Sequence, residues 1–184
     1  MKKVLISLVL GLSLVGCATL EATKEPTDYN SVYSRVKLSQ DEYVGSRRYI
    51  APTIDLVPVK FGNFGFVIGT LDLVKKGQAE RYCITTISYN KEWAFFEKAY
   101  DLKQQVFNVK NVDRSTSTLF NEVSVQEEDC IEVDKNYLND AINNNGIDLK
   151  LIGKNKSVTF KIPSYYIKGF LDAVDYSEKK RFSN

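Results

Sequence analysis

"IDLKLIGKNKSVTFKI", Ile147 to Ile162, is the stretch that decides how this chain folds. Ile147, Leu149 and Leu151 alternate with other residues up to Gly153-Lys154-Asn155-Lys156, and Val158, Phe160 and Ile162 alternate away from it. A period of two places each apolar set on one face of a strand, and the Gly- and Asn-bearing break joins the two strands as a hairpin. A helix is expected on either side. Before the hairpin, Asp134 is placed to accept from first-turn amides, Tyr137, Leu138, Ala141 and Ile142 form an apolar stripe, and Gly146 suits the turn beyond. After it, Pro163 stands where a missing N–H costs little, and Ile167, Phe170, Leu171 and Val174 repeat at helical spacing. The end, "YSEKKRFSN", is polar, and residues 177–184 are expected to fray.

Upstream, short runs rich in β-branched and aromatic residues dominate. In "AERYCITTISY", Cys83, Thr85, Ile87 and Tyr89 share one face and Tyr82, Ile84 and Thr86 the other. Further strands are expected over Val36–Ser39, Arg48–Val57, Phe64–Leu73, Gln105–Val112 and Val123–Val133. Trp93 to Leu102 fits a helix by the spacing of Trp93, Phe96 and Tyr100 and a strand by its aromatic content, and it is read as a strand. No internal repeat is visible. The sum is an α+β domain, mostly antiparallel β with a sandwich-like sheet and two C-terminal helices.

The chain opens MKKVLISLVLGLSLVG, two lysines followed by an apolar run, which is the layout of a secretory signal peptide and too short for a permanent membrane span. It ends Leu14-Val15-Gly16-Cys17, which closely resembles the bacterial lipobox. That resemblance implies diacylglycerol on Cys17, cleavage before it, and acylation of the new N-terminus. Two or three acyl chains give a durable anchor, at about 0.8 kcal/mol per buried methylene. Ala18 follows where the enterobacterial sorting pattern places an aspartate for inner-membrane retention, so the resemblance implies the outer membrane, on its periplasmic face or the cell surface. The organisation expected is a signal peptide over 1–16, a lipidated start and tether over 17–31, one globular domain over 32–176, and the polar tail. Removing Lys2 and Lys3 leaves basic and acidic residues equal in number, which argues against nucleic-acid binding.

With Cys17 acylated, Cys83 and Cys130 remain, and an even count in an oxidising compartment predicts a disulfide between them. Closing that loop stabilises by about 4 kcal/mol in the chain-entropy model. The absence of histidine excludes Ser-His-Asp and Cys-His catalysis and imidazole metal sites. "EED", Glu127 to Asp129, clusters carboxylates, but neighbours on a strand point to opposite faces, so the run reads as a solvated loop or strand end. Its spacing matches no calcium loop, and no cofactor or metal pattern appears elsewhere. "FGNFGFVIG", with Gly62, Gly65 and Gly69, lacks the Gly-Lys-Ser/Thr ending of a phosphate loop and reads as a bent strand. Arg47 and Arg48 suit a phosphate or lipid headgroup chemically, but two residues fall short of a patch and read as a solvated strand edge.

Four stretches together resemble a group of uncharacterised bacterial lipoproteins: "DEYVGSRRYIAP" (Asp41 to Pro52), "ISYNKEWAFFEKAYD" (Ile87 to Asp101), the hairpin with its Leu-Ile-Gly-Lys turn, and "IPSYYIKGFLDAVD" (Ile162 to Asp175). The resemblance implies a single domain on a lipid anchor and brings no catalytic residue. It implies folding roles, with Gly169 letting the last helix pack closely on the sheet and Trp93 filling the core. The function expected is a non-enzymatic binding or envelope-assembly module with an envelope protein or glycan as partner. A carboxylate-dependent cell-wall hydrolase is the alternative; it requires two of Asp113, Glu122, Glu128 and Asp129 to approach within about 5 to 10 Å in a cleft. A surface lipoprotein that blocks a receptor is a third reading.

Overall fold

Strand alternation over the long middle runs builds one antiparallel sheet. In the computed structural model, which describes residues 24–58, 65–119 and 122–183, the segment 1–16 expected to be a signal peptide, Cys17 and Gly62 lie outside the described residues. β1 (Lys37–Asp41) pairs with β2 (Ser46–Ile50), and β2 pairs with β4 (Gly65–Lys76), whose other half on the same edge takes β3 (Ile54–Val57). β4 then pairs with β5 (Ala79–Asn90), β5 with β8 (Glu122–Val133), and β8 with β7 (Val106–Leu119). The order closes with β6 (Phe96–Asp101), β9 (Ile147–Gly153) and β10 (Ser157–Ile162). All pairs are antiparallel, and the sheet curls into half a barrel that brings β10 to β3. The expected mostly antiparallel domain with helices near its C-terminus is present, and its strands belong to a single continuous sheet.

The defining hairpin forms as the alternation requires, with Ile147 paired to Ile162 and Leu149 to Phe160. Segment 93–102 supplies strand β6. The run expected over Arg48–Val57 is two strands instead, because Pro52 has no N–H to give the ladder; both halves still bond β4. β4 and β7 run on past their expected ends, to Lys76 and Leu119.

Registers align side chains into rows across the concave face. Tyr49, Leu73 and Tyr82 form one row and Leu71, Ile84, Ile131 and Val109 the next. These apolar rows carry the last helix, α3 (Ser164–Phe182), which buries Tyr166, Ile167, Phe170, Leu171 and Val174. Burying each such side chain stabilises by roughly 1.5 to 3 kcal/mol, which is why the 3.6 period of this segment prevails over its polar residues. Helix α2 (Lys135–Asn143) starts as read, with the Asp134 carboxylate accepting from Tyr137 N at 2.7 Å. Gly146 sits at φ +102, and a Cβ there would meet Ile162 O at 2.1 Å, so the turn into β9 needs glycine.

Three expectations are corrected. Of the expected tail over 177–184, residues 177–182 are helical instead, because α3 continues to Phe182 and Glu178 is buried within the concave face; Asn184 lies outside the described residues. The Tyr49 hydroxyl donates to Glu178, and Arg47 and Lys75 each approach it at 3.0 Å. Burial alone would raise the Glu178 pKa, but the Tyr49 hydroxyl, Lys75 and Arg47 outweigh it and hold the group at about 2. The tether ends earlier than Ser31, since Pro26 is buried and helix α1 (Tyr29–Tyr33) seats Val32 in the core. Gly169 gives close approach to α1 and not to the sheet: a Cβ would lie 2.9 Å from Tyr29 O and from Val32 Cβ.

Candidate functional site

Beyond the apolar rows the concave face turns polar. The next rows set Gly69, Thr86, Asp129 and Asn111 side by side, then Val67, Ser88, Glu127 and Arg114, then Gly65 and Asn90 with Val125. Thr86, Ser88, Asn90, Glu127 and Asp129 are all buried, the two carboxylates completely. "EED" is therefore not a solvated end. β8 lies between β5 and β7, so its two inward positions are enclosed and only Glu128 faces outward.

Glu127 is a structural anchor. Its Oε2 accepts from Ala94 N at 2.6 Å and its Oε1 from Phe95 N at 2.9 Å, with Arg114 Nε at 3.3 Å. These bonds tie Trp93-Ala94-Phe95 as a strap across the polar rows. The hairpin turn grips the strap from the other side, with Asn155 Nδ2 donating to Trp93 O at 3.0 Å and Lys154 N to Phe95 O at 3.3 Å. The approach is so close that a Cβ on Gly153 would lie 2.2 Å from Ala94 O. Phe95 is held at φ +52, a conformation costly for an aromatic residue and one that the flanking bonds impose. Its ring lies 6.2 Å from the Trp93 ring and carries Arg114 at 5.0 Å and Lys154 at 5.8 Å. Trp93, expected in the core, is only half-buried at this rim. Lys156 Nζ donates to Asn90 Oδ1 at 2.5 Å beneath it.

Asp129 differs from Glu127. Asn111 Nδ2 donates to its Oδ1 at 3.2 Å, while its Oδ2, like Ser88 Oγ, lacks a hydrogen-bond partner among the described residues. Burial pushes the Asp129 carboxyl up to about 6; the Asn111 bond opposes this and the Glu127 charge adds to it. A buried carboxylate with a vacant oxygen and a buried hydroxyl favour a polar guest or water over an apolar one.

The other sequence candidates are dispersed. Glu128 faces outward opposite Asp113 on the convex side, and the Glu122 side chain lies outside the described residues. A cleft of about 430 Å³ is lined by Tyr100, Asp101, Leu102 and Asp148, and neither Asp113, Glu128 nor Asp129 reaches it. Among the described residues no group of three carboxylate, cysteine or histidine side chains is placed to hold a metal ion. Arg47 and Arg48 separate onto opposite faces, Arg47 to Glu178 and Arg48 to Asp72 at 2.6 Å; the strand that bears them lies between β1 and β4 and is no edge, while Arg48 is solvated as expected. The Cys83 and Cys130 sulfurs are 2.20 Å apart, joining β5 to β8 on the convex face. Nearby on that face Phe66 and Tyr89 stack at 4.5 Å beside the part-exposed Ile68 and Ile87.

The inward carboxylates were missed although a signal existed: Val125, Ile131 and Val133 share their parity, and that parity marks the core face. The strap carried no local signal, because the residue that fixes it lies 33 positions away. Neither a protein-family model, a curated protein nor a solved structure matches the chain.

Proposed function

We propose that this chain is an outer-membrane lipoprotein held by acyl chains on Cys17, and that its domain is a non-enzymatic binding module for an envelope protein or glycan. In this reading the two wings of the curled sheet form a sandwich-like shell around α3. The polar rows and the aromatic strap above them form the recognition surface. The observation that carries the reading is the strap itself. Two half-exposed aromatic rings and two cations are held in a strained, pre-formed arrangement by a carboxylate wholly occupied in holding them. Pre-formed aromatic and guanidinium groups are what recognition surfaces use.

One observation favours a hydrolase instead. Glu127 and Asp129 share a face, and a carboxyl raised to about 6 beside a salt-bridged partner resembles an acid and base pair. Against it, both groups are fully buried, and Glu127 has both oxygens engaged.

Two measurements test the proposal. Cys17→Ser abolishes fatty-acid labelling and leaves an unprocessed or soluble form; persistent labelling removes the anchor from the reading. Crosslinked capture from native envelopes recovers a partner with the lipoprotein, and Trp93→Ala loses it while thermal melting stays close to the parent. Peptidoglycan fragments released by the parent and not by Asp129→Asn would establish the hydrolase in its place.

A further inference from the structure

We infer that the end of the domain opposite the strap docks directly on an anionic lipid surface. β4 and β5 run twelve residues each between the two ends, about 36 Å at the rise of a strand. At the far end the β1–β2 turn, residues 42–45, leaves the sheet level with the β4–β5 turn. Asp41 Oδ1 accepts from Tyr43 N at 3.0 Å and Val44 N at 3.3 Å, and Gly45 at φ +62 closes the bend, so the tip is fixed. That rigid tip holds Tyr43 completely in solvent and Val44 half exposed. No described side chain covers them. An aromatic and an aliphatic side chain held outward on a stiff turn suit the headgroup and acyl boundary of a bilayer, where amphipathic rings settle.

Charge at the same end selects the lipid. Lys76 pairs with Ser46 beside the turn, and Arg181 donates to Gln40 on β1 at 3.2 Å, which brings exposed Lys179 and Lys180 alongside. Lys76, Lys179, Lys180 and Arg181 thus lie at the end that carries the apolar tip, with the acids Asp41, Glu42 and Glu80; Glu80 is taken up by Lys75 at 2.7 Å and Asp41 is turned to its own backbone. Last-turn cations also complement the α3 dipole, but that role does not account for Tyr43 and Val44. The lipid anchor is compatible with the pose. Lys24 O is held by Arg35 near the start of β1, and the seven residues back to Cys17 span at most about 24 Å, comparable with the length of β1 and its turn. Docking at this end turns the strap away from the membrane.

The chain from residue 18 onward contains every core residue and no acyl group, so its vesicle binding is independent of whether Cys17 is lipidated. Sedimentation with vesicles of three parts phosphatidylcholine to one of phosphatidylglycerol is expected to pellet it, and pure phosphatidylcholine to leave it in solution. Tyr43→Ser with Val44→Ser, and separately Lys76→Gln with Lys179→Gln and Lys180→Gln, each weaken binding about tenfold, and raised salt abolishes it. The inference is overturned by absent binding, by equal binding to both vesicles, or by variants that bind like the parent. It is also overturned if the tip variant alters only self-association in analytical ultracentrifugation, which would make a second copy the occupant.

Discussion

Replacing Glu127 by alanine destabilises the domain by about 4 kcal/mol, measured as the loss of unfolding free energy in urea. Two backbone donors, Ala94 N in a buried bond and Phe95 N in a part-buried one, lose their acceptor, and a buried orphan costs roughly 1 to 3 kcal/mol. The void left in a fully buried site adds to this. Arg114 contributes little, since about a third of its side chain already meets solvent. Because Phe95 is held at positive φ only by these bonds and the hairpin turn, the strap is the part that loosens. Hydrogen exchange at Ala94 and Phe95 accelerates more than at the buried rows of β4 and β5. Glu127→Gln keeps one acceptor and costs about half as much. An alanine variant within 1 kcal/mol of the parent would show that the strap stands without its carboxylate.

Asp129→Asn acts in the opposite direction and raises stability at neutral pH. The folded carboxyl titrates at about 6 and the unfolded one near 3.8, so between these values the folded chain binds the proton that the unfolded chain has released. Stability therefore falls as pH rises from about 4 to 6 and stays low above, and two pH units at 1.36 kcal/mol each put the full difference at about 3 kcal/mol. Asparagine is neutral throughout and keeps the shape, so its advantage is absent at pH 4 and near 3 kcal/mol at pH 8. Melting temperatures of both proteins across that range decide the matter. Parallel curves would mean that the vacant Oδ2 is satisfied in solution and that burial does not govern this group.

Local periodicity made much of the sheet and both long helices legible. The hairpin at Ile147 to Ile162 and the Asp134 cap are written in adjacent residues, and those formed as read. What local pattern did not reveal lies in pairings of distant residues. "YSEKKRFSN" looks like a tail because Glu178 is charged, and only Tyr49, Arg47 and Lys75 on other elements make its burial tolerable. The same holds for "EED", whose solvent-like composition concealed two core-facing positions. Polar residues buried against partners far away in the chain are where composition misleads, and the candidate site consists almost entirely of them.

The grip of Glu178 on Tyr49 joins residues 129 positions apart, near the two extremes of the folded chain. During synthesis or translocation the chain emerges from its N-terminus, so β2, β4, β5 and β8 are complete before the last helix that covers their apolar rows exists. Until α3 appears, Tyr49, Leu71, Ile84 and Ile131 face an empty groove, which is the kind of surface that aggregates or recruits a holding chaperone. Closure of the concave face thus waits for α3, and a chain that has not yet reached it, or has lost it, presents a sheet without its plug.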